Sequence, residues 1–253
     1  MNFNNFIPII AKCNQGQAKK GVNKGGVTLY NNIFYKLRAP TIIENQLFNN
    51  NKGYNILYEK CINAPKTLVF GGDHSIATAT VLASVKKYPN LSVVWIDAHA
   101  DINTMIASKT KNRHGTPLAS CIGLEKVWFN NEIKDKLNSN KLFYTGIRDV
   151  DVFENNIINK YKINILSSNE IVNYIINTKD KIHISFDVDA LDPTLLDSTG
   201  TLAPNGLNVN QVKNIINTAL NVNKLVGLDI VELNPYLGNR YKSIDTLKEI
   251  FTY

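Results

Sequence analysis

The chain has 253 residues, 44% of them hydrophobic and 19% charged, with a formal net charge of +7. That apolar share supplies one large core and excludes a disordered chain, a collagen-like chain and a disulfide mini-protein. The positive charge comes from scattered lysines without a basic run, so it reads as a solvated surface, and nucleic acid is not expected as a partner.

No stretch reaches the roughly 18 uninterrupted apolar residues of a transmembrane helix, so no membrane partner is expected. Met1–Lys12 carries no basic segment ahead of its short apolar run, so no signal peptide is expected. Cys13, Cys61 and Cys121 are odd in number, widely spaced and free of any CxxC pair. That argues against a disulfide framework or a thiolate metal site and favours a cytoplasmic or otherwise intracellular setting.

In chain order the pattern predicts strands at Phe6–Ile10 and Thr67–Phe70, a helix at Ile76–Lys87, and strands at Leu91–Ile96 and Lys141–Thr145. Helices follow at Val152–Lys160 and Ser168–Asn177, then a strand at Ile182–Phe186. A helix at Val209–Asn221, a strand at Lys224–Leu228 and a helix at Ser243–Phe251 complete the chain. The Val209 helix starts at Asn208 and repeats apolar Val212, Ile215, Ile216 and Leu220 at helical spacing. Near-continuous apolar strands alternating with helices predict an α/β fold with a mostly parallel sheet covered on both faces. No internal repeat or Pro/Gly/Ser linker divides the chain, so one domain over residues 1–253 is expected.

The polar residues gather where the strands end, which is where open α/β sheets place their sites. Thr67–Phe70 runs into Gly71-Gly72-Asp73-His74-Ser75. Leu91–Ile96 runs into Asp97-Ala98-His99-Ala100-Asp101, and Ile182–Phe186 into Asp187-Val188-Asp189. Residues i, i+2 and i+4 of an extended chain share a face, so Asp97, His99 and Asp101 project together. A lone aspartate at a strand end is ordinarily a turn or cap. Carboxylates clustered at one strand end repel one another unless a cation holds them, and with His74 the set comes to four carboxylates and two imidazoles. Imidazole with carboxylate suits Mn²⁺, Fe²⁺, Co²⁺ or Zn²⁺ better than Ca²⁺ or Mg²⁺. Six donors exceed the need of one catalytic ion and fit two ions with shared carboxylates. His183 lies about 13 Å upstream of Asp187 on the same strand and reads as a core histidine. Asp73, Asp192 and Asp229 read as turn residues or as groups that orient ligands.

These motifs resemble one family. GGDHS at Gly71–Ser75, DAHAD at Asp97–Asp101, HG at His114–Gly115 and SFDVDALDP at Ser185–Pro193 are similar, in content and order, to the ureohydrolases, which include arginase and agmatinase. The resemblance runs from about Gln15 to Gly238. It implies a three-layer αβα sandwich of the arginase/deacetylase kind and two Mn²⁺ per chain, with other divalent transition metals as substitutes. The ligands it implies are His74, Asp97, His99, Asp101, Asp187 and Asp189.

The chain looks most like arginase, because Asp101-Ile102-Asn103, Asn112 before His114, and Arg148-Asp149-Val150-Asp151 with Glu154 match its substrate loops. This implies hydrolysis of L-arginine to L-ornithine and urea by a hydroxide that bridges the metals. Asn103, Thr110 and Asn112 would hold the α-carboxylate, and Asp151 and Glu154 the α-amino group. Glu232 and Thr201 would line the guanidinium end, Asp101 would pass a proton, and His114 would shuttle protons to water. The ordinary imidazole pKa near 6.5 suits that last task. Agmatinase or another guanidino-compound amidinohydrolase is the alternative. A one-zinc deacetylase on the related fold, or a non-catalytic binding protein, would be more distant readings.

Thr110 stands where arginases commonly have Ser, and Lys111 and Arg113 make this loop more basic than is usual. The chain is shorter than most members, including after Glu232. The resemblance implies a homo-oligomer, trimer or hexamer, but animal arginases use a longer tail in their trimer interface.

Overall fold

The structure is a computed structural model and describes residues 1–252. Its strands are β1 (Ile7–Ala11), β2 (Thr41–Ile43), β3 (Thr67–Phe70), β4 (Leu91–Ile96), β5 (Leu142–Thr145), β6 (Asn164–Ile165), β7 (Lys181–Asp187) and β8 (Leu225–Val231). Its helices are α1 (Gly25–Leu29), α2 (Lys52–Asn63), α3 (Ala77–Lys87), α4 (Pro117–Cys121), α5 (Val152–Tyr161), α6 (Ser168–Asn177), α7 (Val209–Asn221) and α8 (Arg240–Phe251). All six predicted strands and all five predicted helices form, with ends shifted by a few residues.

The sequence pattern passes over β2, β6 and α2, and over the five-residue helices α1 and α4. The two strands are short edges, too brief to show a period. Helix α2 does bury Tyr54, Leu57, Tyr58 and Cys61 at helical spacing, but Asn51, which precedes it, is left-handed and makes no capping bond.

One eight-stranded sheet has the order β2-β1-β3-β8-β7-β4-β5-β6, and every pairing among the described residues is parallel. Strand side chains alternate between two buried cores. Ile9, Val69, Val93, Trp95 and Tyr144 meet residues of α2, α3 and α4 on one face. Ile10, Phe70, Val94, Ile96, Ile184 and Phe186 meet residues of α6, α7 and α8 on the other. The architecture is a three-layer αβα sandwich.

The central strands β7 and β8 carry polar residues on the first face. His183 is fully buried, with Nδ1 2.8 Å from Ser84 Oγ and Nε2 3.1 Å from Asp229 Oδ2. Thr80 donates to the same Asp229 oxygen at 2.5 Å. Gly227 makes room for the ring, since a Cβ there would lie 2.4 Å from His183 Nδ1. His183 is therefore a core histidine. Asp229 is not at a turn but inside β8, where it bonds His183 rather than a metal ligand. Asp192 does make a turn, accepting from the Thr194 amide at 2.9 Å and the Gly206 amide at 3.0 Å.

Candidate metal centre and substrate cleft

Strands β3, β8, β7 and β4 are consecutive neighbours in the sheet. Parallel pairing puts all four carboxyl ends on one edge, so segments far apart in sequence deliver their polar residues to one place. His74 follows β3, Glu232 follows β8, Asp187 ends β7 with Asp189 just beyond, and Asp97, His99 and Asp101 follow β4.

Two donor clusters result. In the first, His74 Nδ1 lies 3.1 Å from Asp97 Oδ2, 3.0 Å from Asp101 Oδ2 and 3.2 Å from Asp187 Oδ2. In the second, His99 Nδ1 lies 3.5 Å from Asp97 Oδ1 and 3.2 Å from Asp189 Oδ2. Within His74–Asp97–Asp101, and within Asp97–His99–Asp189, the ligand atoms are all within 4.8 Å of one another. Asp97 belongs to both clusters through its two oxygens. Donors about 3 Å apart match adjacent corners around an ion with bonds of about 2.1 Å. The buried His74 Nδ1 makes no hydrogen bond despite its three carboxylate neighbours. A donor aimed at a point shared by carboxylates, rather than aligned with any one of them, fits a cation at that point. The residues present are therefore a dinuclear His/Asp metal-binding cluster.

The electrostatics agree. Burial and the Asp97 charge push the Asp101 carboxyl up to about 6. Burial raises Asp187 and Asp189 as well, helped by neighbouring carboxylates. Burial opposes the charge of Asp97 too, but His74 and His99 hold it well below the usual range. Burial disfavours the His99 imidazolium, yet Asp189 and Asp97 push its pKa up to about 12. Carboxylates crowded this closely are strained by like charge, and divalent cations relieve that strain.

Surrounding groups fix the donors. His74 stacks on Trp95 with centroids 4.1 Å apart, and its Nε2 lies 2.8 Å from Ser185 Oγ. The Trp95 indole donates to Asp97 Oδ2 at 2.9 Å. Thr201 donates to Asp189 Oδ2 at 2.8 Å, and Asp149 Oδ2 lies 3.7 Å from His99 Nε2. Asp73 accepts from the Ser75 amide at 3.0 Å and the Gly16 amide at 2.8 Å, so it orients the His74 turn.

Residues 18–251 match the arginase family. The chain belongs to that family. It is 36% identical over 200 residues to an arginase of Glaciozyma antarctica, covering 72% of this chain and 58% of the relative. It is 32% identical over 240 residues to the human mitochondrial arginase-2, covering 86% of this chain and 65% of the relative. The matched regions thus span less than two thirds of these relatives. Among solved structures, a Bacillus subtilis arginase superimposes with a TM-score of 0.84 at 26% identity, over 98% of this chain and 99% of that one. An Entamoeba histolytica arginase in complex with L-ornithine superimposes with a TM-score of 0.86 at 26% identity, over 98% of both chains.

An open cleft of about 290 Å³ adjoins this metal-binding cluster. His99, Asp101, Asp187 and Asp189 line its metal end. Asn103, Thr110, Asn112, His114, Asp151, Glu154 and Thr201 also line it. Asp151 and Glu154 form the capping box of α5: Asp151 Oδ1 accepts from the Glu154 amide at 2.8 Å, and Glu154 Oε2 from the Asp151 amide at 3.2 Å. Asn103 Nδ2 donates to Asp151 Oδ2 at 2.6 Å, linking the loop after β4 to the start of α5. Burial, with the Asp101 charge, pushes the Glu154 carboxyl up to about 7.

Glu232 packs against His114, a cleft residue. It is buried and accepts from the His74 amide at 2.8 Å and from Gln17 Nε2 at 2.5 Å. His114 Nδ1 is 3.3 Å from Glu232 Oε1. Burial opposes the imidazolium, but Glu232 outweighs it and pushes His114 up to about 9.

Sequence reasoning missed Gln17 and Trp95, and gave Ser185 and Arg148 only as motif members without a role. Trp95 and Ser185 each stand two residues before a ligand aspartate, on the same strand face, which is a usable signal. Gln17 has no local signal. Arg148 spreads its guanidinium over six backbone carbonyls, among them Gly146 at 2.9 Å, Asp189 at 2.9 Å and Ala203 at 2.7 Å.

Proposed function

We propose that the chain hydrolyses L-arginine to L-ornithine and urea with two divalent ions, Mn²⁺ by choice, held by His74, Asp97, Asp101 and Asp187 on one side and Asp97, His99 and Asp189 on the other. The observation that carries this reading is the cleft itself. One pocket joins the dinuclear cluster to hydroxyl and amide groups suited to a carboxylate and to acids suited to an α-amino group. Bound ions supply Lewis acidity that makes hydroxide available at neutral pH.

The chain's own residues do the remainder. Ser108, Thr110 and Asn112 receive the α-carboxylate, and Asn103 braces the wall opposite through Asp151. Asp151 and Glu154 face the α-amino group. Glu232 neutralises the guanidinium once Gln17 gives up its bond. Asp101 is placed to accept a proton and pass it to the leaving amine. His114, charged beside Glu232, exchanges protons with bulk water.

The test is urea release by the Mn²⁺-loaded protein with L-arginine and agmatine side by side. Urea from arginine, with little from agmatine, is the expected result. Urea from agmatine alone would retain the hydrolytic chemistry and overturn the carboxylate reading. Assembly into a homo-oligomer is a separate proposal, tested by light scattering.

A further inference from the structure

The loop after the metal motif carries three cations, Lys109, Lys111 and Arg113, and the structure gives them different fates. Lys111 donates to the carbonyls of Met105 and Ile106, both at 2.8 Å, so it staples its own loop. Arg113 lies over the Trp128 ring, 4.6 Å from the centroid. Neither lines the cleft. Lys109 does, and among the described residues its ammonium has no hydrogen-bond or ion-pair partner.

The neighbouring donors are neutral and partly committed. Ser108 Oγ accepts from the Lys111 amide at 3.1 Å and lies 3.4 Å from Thr110 Oγ1. Thr110 Oγ1 accepts from the Asn112 amide at 3.3 Å. The opposite wall, Asp151 and Glu154, repels an anion. His99 and His114 also line the cleft, but both are paired with carboxylates at its metal end. A carboxylate arriving at the outer end thus meets one uncommitted positive charge.

We propose that Lys109 is a specificity-determining residue that ion-pairs with a carboxylate at the end of the substrate remote from its guanidinium. This rests on the proposed reaction and names its substrate class: guanidino compounds bearing a carboxylate, selected by charge over their amide or decarboxylated counterparts. Neutral donors recognise the shape of a carboxylate, whereas Lys109 supplies the opposite charge and draws the anion in at low salt.

The experiment measures kcat and KM of the Mn²⁺-loaded full chain for L-arginine, L-argininamide and agmatine at low and high ionic strength. Wild type is compared with Lys109→Met, which keeps the aliphatic stem, and Lys109→Arg, which keeps the charge. Lys109→Met is expected to raise the KM for arginine about three- to tenfold, the scale of a partly exposed ion pair, with kcat held. The preference for arginine over argininamide should shrink by the same factor. Lys109→Arg should restore it, and added salt should raise the arginine KM of wild type more than that of Lys109→Met.

An arginine KM unchanged in Lys109→Met, with urea still released by wild type, overturns the Lys109 assignment and leaves the proposed function standing. Loss of kcat with unaltered selectivity would show a structural role and also overturns it. A wild type that releases urea from agmatine but not from arginine removes both readings.

Discussion

Asp97 is the residue on which both halves of the metal centre turn. Its two oxygens face different histidines, so one side chain serves both donor clusters. Asp97→Ala should remove both ions, whereas Ser185→Ala removes only the group that fixes His74 Nε2. The second change should weaken metal affinity about 10- to 100-fold without abolishing binding. Metal content after gel filtration separates the two, and full occupancy in Asp97→Ala would contradict the shared-ligand geometry.

Two other site residues, Asp101 (φ 49°) and Glu232 (φ 66°), adopt left-handed backbone without being glycine. Each costs on the order of 1 kcal/mol, and the surrounding bonds hold it there.

His114 gives a pH signature. Its folded pKa, raised to about 9 by Glu232, exceeds its ordinary value near 6.5. The stabilisation from this pair is complete below about pH 6.5 and fades as pH rises through about 9. Glu232→Gln should therefore be less stable than wild type by on the order of 2 kcal/mol near pH 6, with a smaller deficit above pH 9. Denaturant titrations across that range measure it. A deficit independent of pH would show that the pair does not titrate as the structure implies.

At the scale of elements, the site is an assembly of loops that need fastening. Arg148, just beyond β5, binds carbonyls from its own turn, from the turn after β7 and from residues 203–204. It thereby ties the backbone of the ligand Asp189 to the loop that carries Asp151. Arg148→Met leaves those carbonyls without a charged donor and should cost about 2–3 kcal/mol. A fall in Tm accompanied by weaker metal retention checks both parts.

The turn after β3 is equally constrained. A Cβ on Gly72 would lie 1.8 Å from the Cys13 carbonyl oxygen. Gly72→Ala must push β1 and the His74 turn apart. It should fold poorly or lose metal, and unchanged stability would show that the turn can shift.

The fastening residues were the hardest to read from sequence. The chemistry of Arg148 lies in contacts with residues about 40 and 55 positions away. Nothing in its neighbours announces them. The ligands, in contrast, sit in short runs whose two-residue spacing is itself the signal.

For the whole molecule, the buried carboxylates make metal and fold interdependent. Chelation should lower Tm, and Mn²⁺ should raise it in proportion to the logarithm of its concentration, as for any ligand bound only by the native state. Calorimetric scans with and without chelator test this, and equal midpoints would mean that the centre contributes nothing to stability. Among the described residues, no helix is long and apolar enough to cross a membrane.

The sequence by itself determined the alternating α/β pattern, the six inner strands and the six donors, because local periodicity and strand-end spacing encode them directly. Only the tertiary structure decided that Asp97 serves both clusters, that Asp229 belongs to the core, that Glu232 pairs with His114 and that Lys109, rather than Lys111 or Arg113, faces the cleft. Each of those depends on which strands become neighbours and on which partner captures a side chain first. These are long-range competitions for hydrogen bonds and charge, and no local run of residues contains their outcome.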